Sequence, residues 1–417
     1  MSKSNISYTL NNDICTGCGI CECACPSKSI TTIVKEGRFL PQIDKLRCNN
    51  LNGCHRCYEV CPGLGIDLKS WAPREKGSKD DFYLGHYLDC YSGYSNDNEL
   101  RYHAASGGLT SQFIIWLLEN KKIDGAVVTK FDKNAPCKVV TFIAKNKEEI
   151  LAAKSSKYAP VSHHKTAQMI KDSEGSRYVI VGLPCHIEGF RKLLKIDKKL
   201  CNKVIGLFGI YCSGTRTFNF TEYLMEERGI DLNALNYLAY RDNGCLGGIV
   251  AKGEGIDYYE DYQSYCHPLR TIFFPRRCLL CADHFAELAD ISFGDIHVKP
   301  YSEDKVGINS VVVRNSFWKR LLVEAFDSGA IFLDPLDPSK LIDSQKMAVI
   351  KKSRNMGYVI LNKKLGYIVP DFGNIYNGKL TPKIIINYIW TRMQQFIGSH
   401  KSMWWIIKFI KAKVRIQ

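Results

Sequence analysis

Cysteines near the N-terminus constrain this chain more than any other feature. The first four follow a C-x2-C-x2-C-x3-C-P pattern, Cys15-Thr-Gly-Cys18-Gly-Ile-Cys21-Glu-Cys-Ala-Cys25-Pro26. In proteins with two iron–sulfur clusters, three thiolates of such a run bind one cluster and the fourth binds the other. A second, looser series follows at Cys48, Cys54, Cys57 and Cys61. We therefore predict two [4Fe–4S] clusters, one held by Cys15, Cys18, Cys21 and Cys61 and the other by Cys25, Cys48, Cys54 and Cys57.

The second series departs from compact spacing, because five residues separate Cys48 from Cys54. That stretch is polar and ends in Gly53, so it can fold back and keep Cys48 as a ligand. A three-iron cluster without Cys48 is the alternative. Zinc sites favour two separated C-x2-C pairs, and disulfides belong to oxidising compartments. Neither alternative accounts well for eight cysteines in this order.

Composition limits the class of protein. The chain has 417 residues, enough for one large or two medium domains, and 18 cysteines, most of them in metal-type spacings. Its first residues are polar and lack the apolar core of a signal peptide, and no apolar run has the length of a membrane span. We therefore expect a cytoplasmic protein in a reducing environment.

The net charge of +15 is concentrated in the tail, since residues 372–417 contain lysine and arginine but no acidic residue. No signature of a nucleic-acid-binding fold is present, so nucleic acid is not an expected partner. On a helical wheel, one face of the tail is apolar, with Met403, Ile406, Ile407, Ile410 and Val414. Another face is basic, with Lys401, Lys408, Lys411 and Arg415. Such a helix is typical of a peripheral anchor at the inner face of a membrane, and a helix packed against protein is the alternative.

Hydrophobic periodicity predicts the fold. Residues 29–44 read as a β-hairpin between the two cysteine series, and residues 72–81 have the composition of a linker. Strand patterns then recur at 125–129, 139–144, 178–182, 203–210, 290–293 and 310–314, with helices at 109–119 and 186–194. This alternation predicts an α/β fold with a mainly parallel sheet. We expect a two-cluster α+β ferredoxin-like module at 1–70, a linker at 71–84, a larger α/β domain at 85–375 and the basic tail at 376–417.

A second set of cysteines follows predicted strands in the larger domain. Cys185 and Cys212 come just after buried strands, and Cys278-Leu-Leu-Cys281 forms a C-x2-C pair. Ligand sites gather at the carboxyl ends of strands in open α/β sheets. These four thiolates are candidates to hold a third [4Fe–4S] cluster. The alternatives are buried structural cysteines and a zinc site at Cys278, Cys281 and His284.

Two short motifs suggest contacts to a phosphate or a flavin. Ser106-Gly107-Gly108 precedes a predicted helix, whose N-terminal amides can bind a phosphate. Ser156-Lys157-Tyr158 places a cation beside an aromatic ring, an arrangement suited to a flavin. Most Ser-Gly-Gly sequences are simply turns, and an exposed loop is the alternative for residues 156–158.

Together these motifs resemble the coenzyme F420 hydrogenase/dehydrogenase beta-subunit family, from Cys15 to about Pro300. The resemblance rests on the cysteine series, Ala105-Ser-Gly-Gly108, Ser156-Lys-Tyr158, Gly182-Leu-Pro-Cys-His186, Tyr211-Cys-Ser-Gly214 and Cys278-Leu-Leu-Cys281. It implies FAD in the large domain. It also implies Ser106, Gly107, Gly108, Ser156, Lys157 and Tyr158 as FAD contacts, and Cys185, Cys212, Cys278 and Cys281 as cluster ligands.

The expected function is an iron–sulfur flavoprotein oxidoreductase, because a flavin joins one-electron clusters to a two-electron substrate. Lys157 and His186 are the candidate catalytic residues. The expected partners are a small-molecule substrate and a redox protein, either a ferredoxin or a hydrogenase/dehydrogenase subunit. A deazaflavin oxidoreductase is the specific alternative. An electron-transfer adaptor without flavin is the non-enzymatic one.

Overall fold

A computed structural model describes residues 5–132, 135–269, 271–373 and 378–415 of the protein. The strands are β1 Ile30–Lys35, β2 Arg38–Ile43, β3 Lys79–Asp81, β4 Gly85–Tyr87, β5 Asp89–Ser95, β6 Gly125–Asp132, β7 Ala135–Ala144, β8 Tyr178–Gly182, β9 Val204–Ile210, β10 Leu235–Asp242, β11 Gly248–Gly253, β12 Ile256–Asp261, β13 Ile291–Asp295, β14 Asn309–Val313 and β15 Ile331–Pro335.

The α-helices are α1 Ser7–Asn11, α2 Ile20–Ala24, α3 Arg56–Glu59, α4 Leu68–Trp71, α5 Asn98–Tyr102, α6 Leu109–Glu119, α7 Lys147–Ala152, α8 Thr166–Asp172, α9 Pro184–Ile196, α10 Lys198–Cys201, α11 Asn219–Glu227, α12 Tyr262–Cys266, α13 Arg276–Leu279, α14 Ser316–Asp327, α15 Pro338–Ser344, α16 Lys346–Ile350, α17 Met356–Lys364, α18 Pro382–Ser399 and α19 Ile407–Arg415. A π-helical turn, Lys351–Asn355, joins α16 to α17.

The large domain is built on an eight-stranded sheet with the order β15-β5-β14-β13-β9-β8-β6-β7. Its four central strands, β13, β9, β8 and β6, run parallel, and antiparallel strands flank them on both sides. The central strands are apolar on both faces because helices cover both. The predicted α/β fold is therefore confirmed, with the parallel pairing at its centre.

Helices α6 and α9 show why the two faces of the sheet are covered. Ile187, Phe190 and Leu193 of α9 are fully buried at helical spacing, which makes one continuous apolar stripe. Helix α6 buries Phe113 and Leu117 against the strands in a separate core that also contains Trp318 of α14. The sheet thus separates two hydrophobic cores, and its strand ends remain available to form a site.

The N-terminal module shares a hydrophobic core with the large domain. Ile14, Ile20 and Val60 pack in one apolar group with Ile187 and Phe190 of α9. Gly189 permits this contact, since a Cβ atom there would lie 2.4 Å from Cδ1 of Ile20. The cysteine-bearing loops are consequently held firmly against the sheet.

The segment 71–84, predicted to be a linker, contains regular structure. Strands β3 and β4 form an antiparallel hairpin, and Leu84 between them is fully buried. Polar residues such as Lys79 and Asp80 give the segment its linker composition, yet the hairpin packs beneath β14. The domain boundaries themselves remain predictions.

A three-stranded antiparallel sheet, β10-β11-β12, carries the C-terminal helices. Tyr240 and Leu238 pack with Phe273, Trp404 and Ile407 in a third core. Across the residues that the structure describes, no helix is both long enough and apolar enough to cross a bilayer.

Candidate functional site

The N-terminal cysteines lie close to one another in a pattern compatible with the two predicted groups, whose ligand assignment remains a prediction. The thiols of Cys15 and Cys18 interact electrostatically with Cys61, and Cys21 interacts with all three. Cys57 interacts with Cys25, Cys48 and Cys54, and also with Cys21, so the two groups adjoin. Burial and the neighbouring sulfur of Cys61 raise the pKa of Cys15 to about 12 and that of Cys18 to about 11. Buried thiolates this close repel one another, so the arrangement suits a cationic metal core that neutralises them.

Backbone amides point at several of these sulfurs. Gly17 donates to Cys15 Sγ at 3.4 Å, Gly63 to Cys61 Sγ at 3.3 Å and Ser29 to Cys25 Sγ at 3.3 Å. Hydrogen bonds of this kind help set the potential of an iron–sulfur cluster. The loop after Cys48 folds back as a 3-10 turn, with Cys54 N–H donating to Asn49 O at 3.1 Å. The loop thus folds back and brings Cys48 near Cys57, and the role of Cys48 as a ligand remains a prediction.

Four further cysteines line one small cavity in the large domain, which we call the four-cysteine cavity. They are Cys185, Cys212, Cys278 and Cys281. Cys185 lies at the start of α9, Cys212 follows β9, and the C-x2-C pair begins in α13. Their convergence follows from the sheet, because β8 and β9 are adjacent parallel strands and end at the same edge. The four side chains therefore fit the ligand set of a [4Fe–4S] cluster.

The zinc alternative fits the four-cysteine cavity less well. Both ring nitrogens of His284 have partners, Cys212 O at 3.1 Å and Gln345 Oε1 at 3.0 Å. The ring therefore has no free nitrogen for a metal. In the described parts of the chain, no three His, Cys, Asp or Glu side chains are arranged to hold a single metal ion. A cluster differs from a single ion because each thiolate binds a different iron of a larger core.

A larger, open cavity lies beside the four-cysteine cavity, and we call it the main cavity. Its empty volume is about 1100 Å³, including its open mouth. It lies at the carboxyl ends of β6, β8, β9 and β13, next to the first residues of α6. Val161, Leu183 and His186 line both cavities. A cofactor in the main cavity would thus lie beside the four cysteines.

The predicted phosphate motif lies at the start of α6. Ser106 and Gly108 line the main cavity, and Gly108 is the residue that precedes the helix, with φ of +70°. Gly107 does not line the cavity; its φ is +64°, and its Cα faces the backbone of Gly307. Thr110 and Ser111, which sequence reasoning missed, add hydroxyl groups to the lining. A helix N-terminus suits a phosphate, so this end of the cavity fits one, with the amide of Leu109 already bonded to Asn309 Oδ1 at 3.0 Å.

The structure separates the residues of the second motif. Ser156 and Lys157 line the main cavity, but the ring of Tyr158 does not. That ring packs among aromatic side chains, 5.5 Å from Tyr240 and 5.9 Å from Tyr262. The prediction that Tyr158 contacts FAD is therefore not supported by its position. Two residues that are adjacent in the sequence need not have side chains that reach the same surface.

Lys157 Nζ donates to three backbone carbonyls, those of Ala153, Lys154 and Ser155. Burial and nearby Lys154 lower the pKa of Lys157 to about 7. The three carbonyls oppose this effect, because they accept from the charged ammonium. With its donors engaged, Lys157 fixes the end of α7 and the cavity wall. Its predicted catalytic role remains a prediction.

Two buried histidines line the main cavity, and one of them, His186, also lines the four-cysteine cavity. His186, a predicted catalytic residue, is 2% exposed, and its Nδ1 accepts from Leu183 N–H at 3.2 Å. The ring of His163 lies 4.6 Å from it and also lines the main cavity. His163 Nδ1 is bonded to Thr166 Oγ1 at 3.1 Å, but buried Nε2 has no partner. An unpartnered ring nitrogen at a cavity wall fits a bound ligand, and no sequence spacing pointed to it.

Comparison with known proteins places this site in a family. Residues 90–168 match the N-terminal profile described as "Coenzyme F420 hydrogenase/dehydrogenase, beta subunit", and residues 175–339 match the C-terminal profile of the same description. The chain belongs to the coenzyme F420 hydrogenase/dehydrogenase beta-subunit family. The resemblance drawn from the sequence motifs is confirmed.

Individual relatives differ in how much of each chain they share. The coenzyme F420-dependent sulfite reductase of Methanocaldococcus jannaschii is 26% identical over 391 residues, which are 90% of this chain but only 56% of that protein. The coenzyme F420 hydrogenase subunit beta of Methanococcus voltae is 27% identical, over 69% of this chain and 99% of that protein. A chain of the F420-reducing [NiFe] hydrogenase complex from Methanosarcina barkeri shares the fold, with a TM-score of 0.55 at 22% identity. That match covers 69% of this chain and 96% of the solved chain.

The C-terminal tail of this family member packs against the body through the face that the sequence predicts to be apolar. Ile407 and Ile410 are buried with Trp404 beside Tyr223 and Phe273. The side chains of residues 412–417, including Val414 and Arg415, lie outside those the structure describes. The packing alternative therefore holds for this face. The outer side of α18 instead exposes apolar side chains, namely Ile386, Ile389, Trp390, Met393 and Phe396.

Proposed function

We propose that this chain is an iron–sulfur flavoprotein oxidoreductase. In this proposal it transfers electrons between ferredoxin-type [4Fe–4S] clusters and FAD, and to or from a two-electron substrate. The observation that carries the proposal is the shared wall of the two cavities, formed by Val161, Leu183 and His186. A flavin beside a cluster supplies exchange between one-electron and two-electron chemistry. The residues of this chain supply position, burial and exclusion of water.

The positions of the three cysteine groups support electron transfer along one route. Thr16, within the first cysteine series, lines the four-cysteine cavity, and the thiols of Cys18 and Cys185 interact electrostatically. Of the two N-terminal groups, the one that contains Cys57 is the more exposed. Cys48 and Cys54 are partly exposed, whereas Cys15, Cys18 and Cys21 are buried. The exposed group is therefore suited to meet a partner protein.

The partner and the substrate are inferred from chemistry and from named relatives. A ferredoxin or a hydrogenase/dehydrogenase subunit would exchange single electrons at the exposed cysteine group. The relatives named above are coenzyme F420 enzymes, which favours a deazaflavin as the specific two-electron substrate. The main cavity is open and has apolar walls with a few polar groups, which suits such a planar ligand. An adaptor without flavin remains the rival function.

Iron and flavin analysis of the full-length protein, purified without oxygen, tests the proposal. We expect about twelve irons per chain from three four-iron clusters, and about one FAD. Cys185→Ser should lower the iron content by roughly four atoms, as expected for loss of one cluster. Cys201→Ser is the matched control, since Cys201 is exposed and outside all three groups. Stoichiometric zinc would overturn the proposal, and iron without flavin would favour the adaptor. A change in deazaflavin absorbance on mixing with the reduced protein shows whether the deazaflavin is a substrate.

We also propose that the outer side of α18 makes the peripheral membrane contact predicted from the tail. Ile386 is 68% exposed and Phe396 56% exposed, and no acidic residue lies between Phe372 and Gln417. An apolar stripe on a segment whose own charges are all basic complements an anionic lipid surface, although Lys401 and Lys411 pair with Glu222 and Glu227. Trp390→Ser with Phe396→Ser should abolish co-sedimentation with anionic vesicles. Phe326→Ser, which changes an exposed phenylalanine of α14, is the control. Equal sedimentation of all three proteins would exclude this contact.

A further inference from the structure

The π-helical turn Lys351–Asn355 lies beyond the residues that match the family profiles, which end at residue 339. π-Helices are rare and occur mostly as single turns inside α-helices, frequently at functional sites. Here the turn directs Lys351 and Asn355 inward, and they are 1% and 3% exposed. Both approach the Cys278–Cys281 loop. A segment distant in sequence therefore closes one side of the four-cysteine cavity.

The contacts of the two side chains are specific. Lys351 Nζ lies 3.5 Å from Cys281 Sγ and donates to the carbonyl of Asp283 at 2.6 Å. Asn355 Nδ2 donates to the carbonyl of Cys281 at 3.2 Å and to that of Cys278 at 3.5 Å. The ammonium thus contacts a candidate ligand sulfur, and the amide holds the loop on which that sulfur lies.

The charge of Lys351 acts mainly on the thiols of Cys281 and Cys212, and also on the buried carboxyl of Asp283. The adjacent residue offers a contrast, since Lys352 Nζ forms an ion pair with Glu287 at 2.7 Å. Arg277 also lines the four-cysteine cavity, but its guanidinium donates to the carbonyls of Pro62 and Gly63. The ammonium of Lys351 instead donates to a sulfur and a neutral carbonyl. A buried cation in this position offsets negative charge on the four thiolates.

We infer that Lys351 is a positioning and charge-compensating residue of the four-cysteine cavity, which stabilises the reduced state of a cluster bound there. This inference rests on the proposed function, because it requires a cluster at those four cysteines. Reduction adds one electron and therefore one negative charge. A buried ammonium in contact with a ligand sulfur stabilises the more negative state, as do hydrogen bonds to the sulfurs. Lys351 consequently raises the reduction potential of this cluster.

A redox titration followed by electron paramagnetic resonance tests the inference on the full-length, anaerobically purified protein. The resonance that disappears in Cys185→Ser is assigned to the cluster of the four-cysteine cavity. Lys351→Met should lower its equilibrium constant for reduction by about tenfold, a change of about 59 mV to more negative potential for one electron. Lys351→Arg should keep the wild-type potential. The clusters of the N-terminal module are the internal control, and Lys346→Met, which neutralises an exposed lysine of α16, is the matched control.

The possible outcomes distinguish a failure of the role inferred for Lys351 from a failure of the proposed function. A wild-type potential in Lys351→Met, with the cluster present, overturns the role of Lys351 and leaves the proposed function intact. A wild-type protein without the Cys185-dependent signal overturns the proposed third cluster itself. If Lys351→Met loses iron, Lys351→Gln is titrated instead, because its amide keeps a donor without the charge. A wild-type potential in Lys351→Gln overturns the charge effect, and a lowered one supports it.

Discussion

The backbone N–H of His163 donates to the carbonyl oxygen of Cys18 at 2.8 Å. Cys23, in the helix α2 that follows Cys18, donates its thiol to the carbonyls of His163 and His164 at 3.2 and 3.3 Å. The first cysteine series is therefore bonded directly to the segment that forms a wall of the main cavity. Because the ring of His163 is part of that wall, one residue connects the two chemical centres of the proposed enzyme.

Replacement of His163 by phenylalanine should weaken flavin binding without unfolding the protein. Phenylalanine keeps the ring packed against Phe190 and leaves the backbone bond to Cys18 in place, but it removes Nε2 together with the Nδ1 bond to Thr166 Oγ1. Loss of one hydrogen bond costs about 0.5–1.5 kcal/mol, which is roughly a 2-fold to 10-fold rise in Kd. Fluorescence titration of flavin-depleted protein measures the change. His164→Phe, at a ring that does not line the cavity, should bind flavin like the wild type. Equal affinities in all three proteins would show that Nε2 has no flavin partner.

Much of the fold could be predicted from the sequence, because the elements that build the sheet carry strong local patterns. The apolar run at residues 178–182 and the helical period at 109–119 coincide with the bounds of β8 and α6. Strand β5 carries no such pattern and was missed. Its sequence, Asp-Cys-Tyr-Ser-Gly-Tyr-Ser, has small and polar residues instead of an apolar run. It forms a strand because β14 and β15, more than 200 residues away, supply hydrogen-bond partners on both sides.

Candidate site residues could be predicted where their spacing in the sequence indicates a ligand set. They could not be predicted where only tertiary contacts bring them to the site. Cysteine spacing indicated both N-terminal groups, and strand ends indicated Cys185 and Cys212. Lys351 gave no signal, since it is 70 residues from Cys281 and reaches it through a π-helical turn. The tail shows a similar limit. A helical wheel identifies an apolar face but not the surface that covers it, which here includes Tyr223 and Phe273.

Gly107→Ala should destabilise the loop before α6 by more than left-handed backbone strain alone. A non-glycine residue with positive φ costs about 1–2 kcal/mol. At Gly107 a Cβ would also lie 2.9 Å from Asn309 Oδ1 and 3.0 Å from Gly307 O. Gly329→Ala is the matched control, because Gly329 has φ of +75° and open space around its Cβ position. We expect a larger fall in Tm and lower flavin occupancy for Gly107→Ala. Equal falls in Tm would show that the loop adjusts to the added methyl group.

Lys352→Met should strongly destabilise the protein, because it leaves Glu287 buried without its cation. The two side chains are 2% and 3% exposed and their charged atoms are 2.7 Å apart. Breaking such a pair typically costs about 3–5 kcal/mol, whereas replacing both partners costs far less. The double variant Lys352→Met with Glu287→Met should therefore recover much of the loss in thermal unfolding. Lys299→Met, which removes an exposed ion pair with Glu303, should change stability by less than about 1 kcal/mol. A double variant less stable than Lys352→Met would contradict this account.

The contact between the C-terminal helix and α11 should weaken in acid. Lys411 Nζ lies 2.8 Å from both carboxylate oxygens of Glu227, which also accepts from Tyr223 at 2.9 Å. Burial raises the pKa of Glu227, but the bonds from Lys411 and Tyr223 outweigh it, and the pKa falls below its usual 4.5. The folded state thus binds fewer protons than the unfolded state near that pH.

Because the pKa of Glu227 is lower in the folded state, its contribution to stability decreases as the pH falls. The contribution of Glu227 is complete above pH 4.5 and is lost as the pH falls through the lowered pKa of the folded state. Because the pair lies at the surface, we expect it to contribute less than about 1 kcal/mol. Hydrogen exchange of residues 400–411 should therefore show more protection in the wild type than in Glu227→Gln at pH 7, with the difference shrinking toward pH 4. Glu226→Gln, at an exposed neighbour, should behave like the wild type throughout. A difference that stays constant with pH would mean that the carboxylate of Glu227 does not hold the helix.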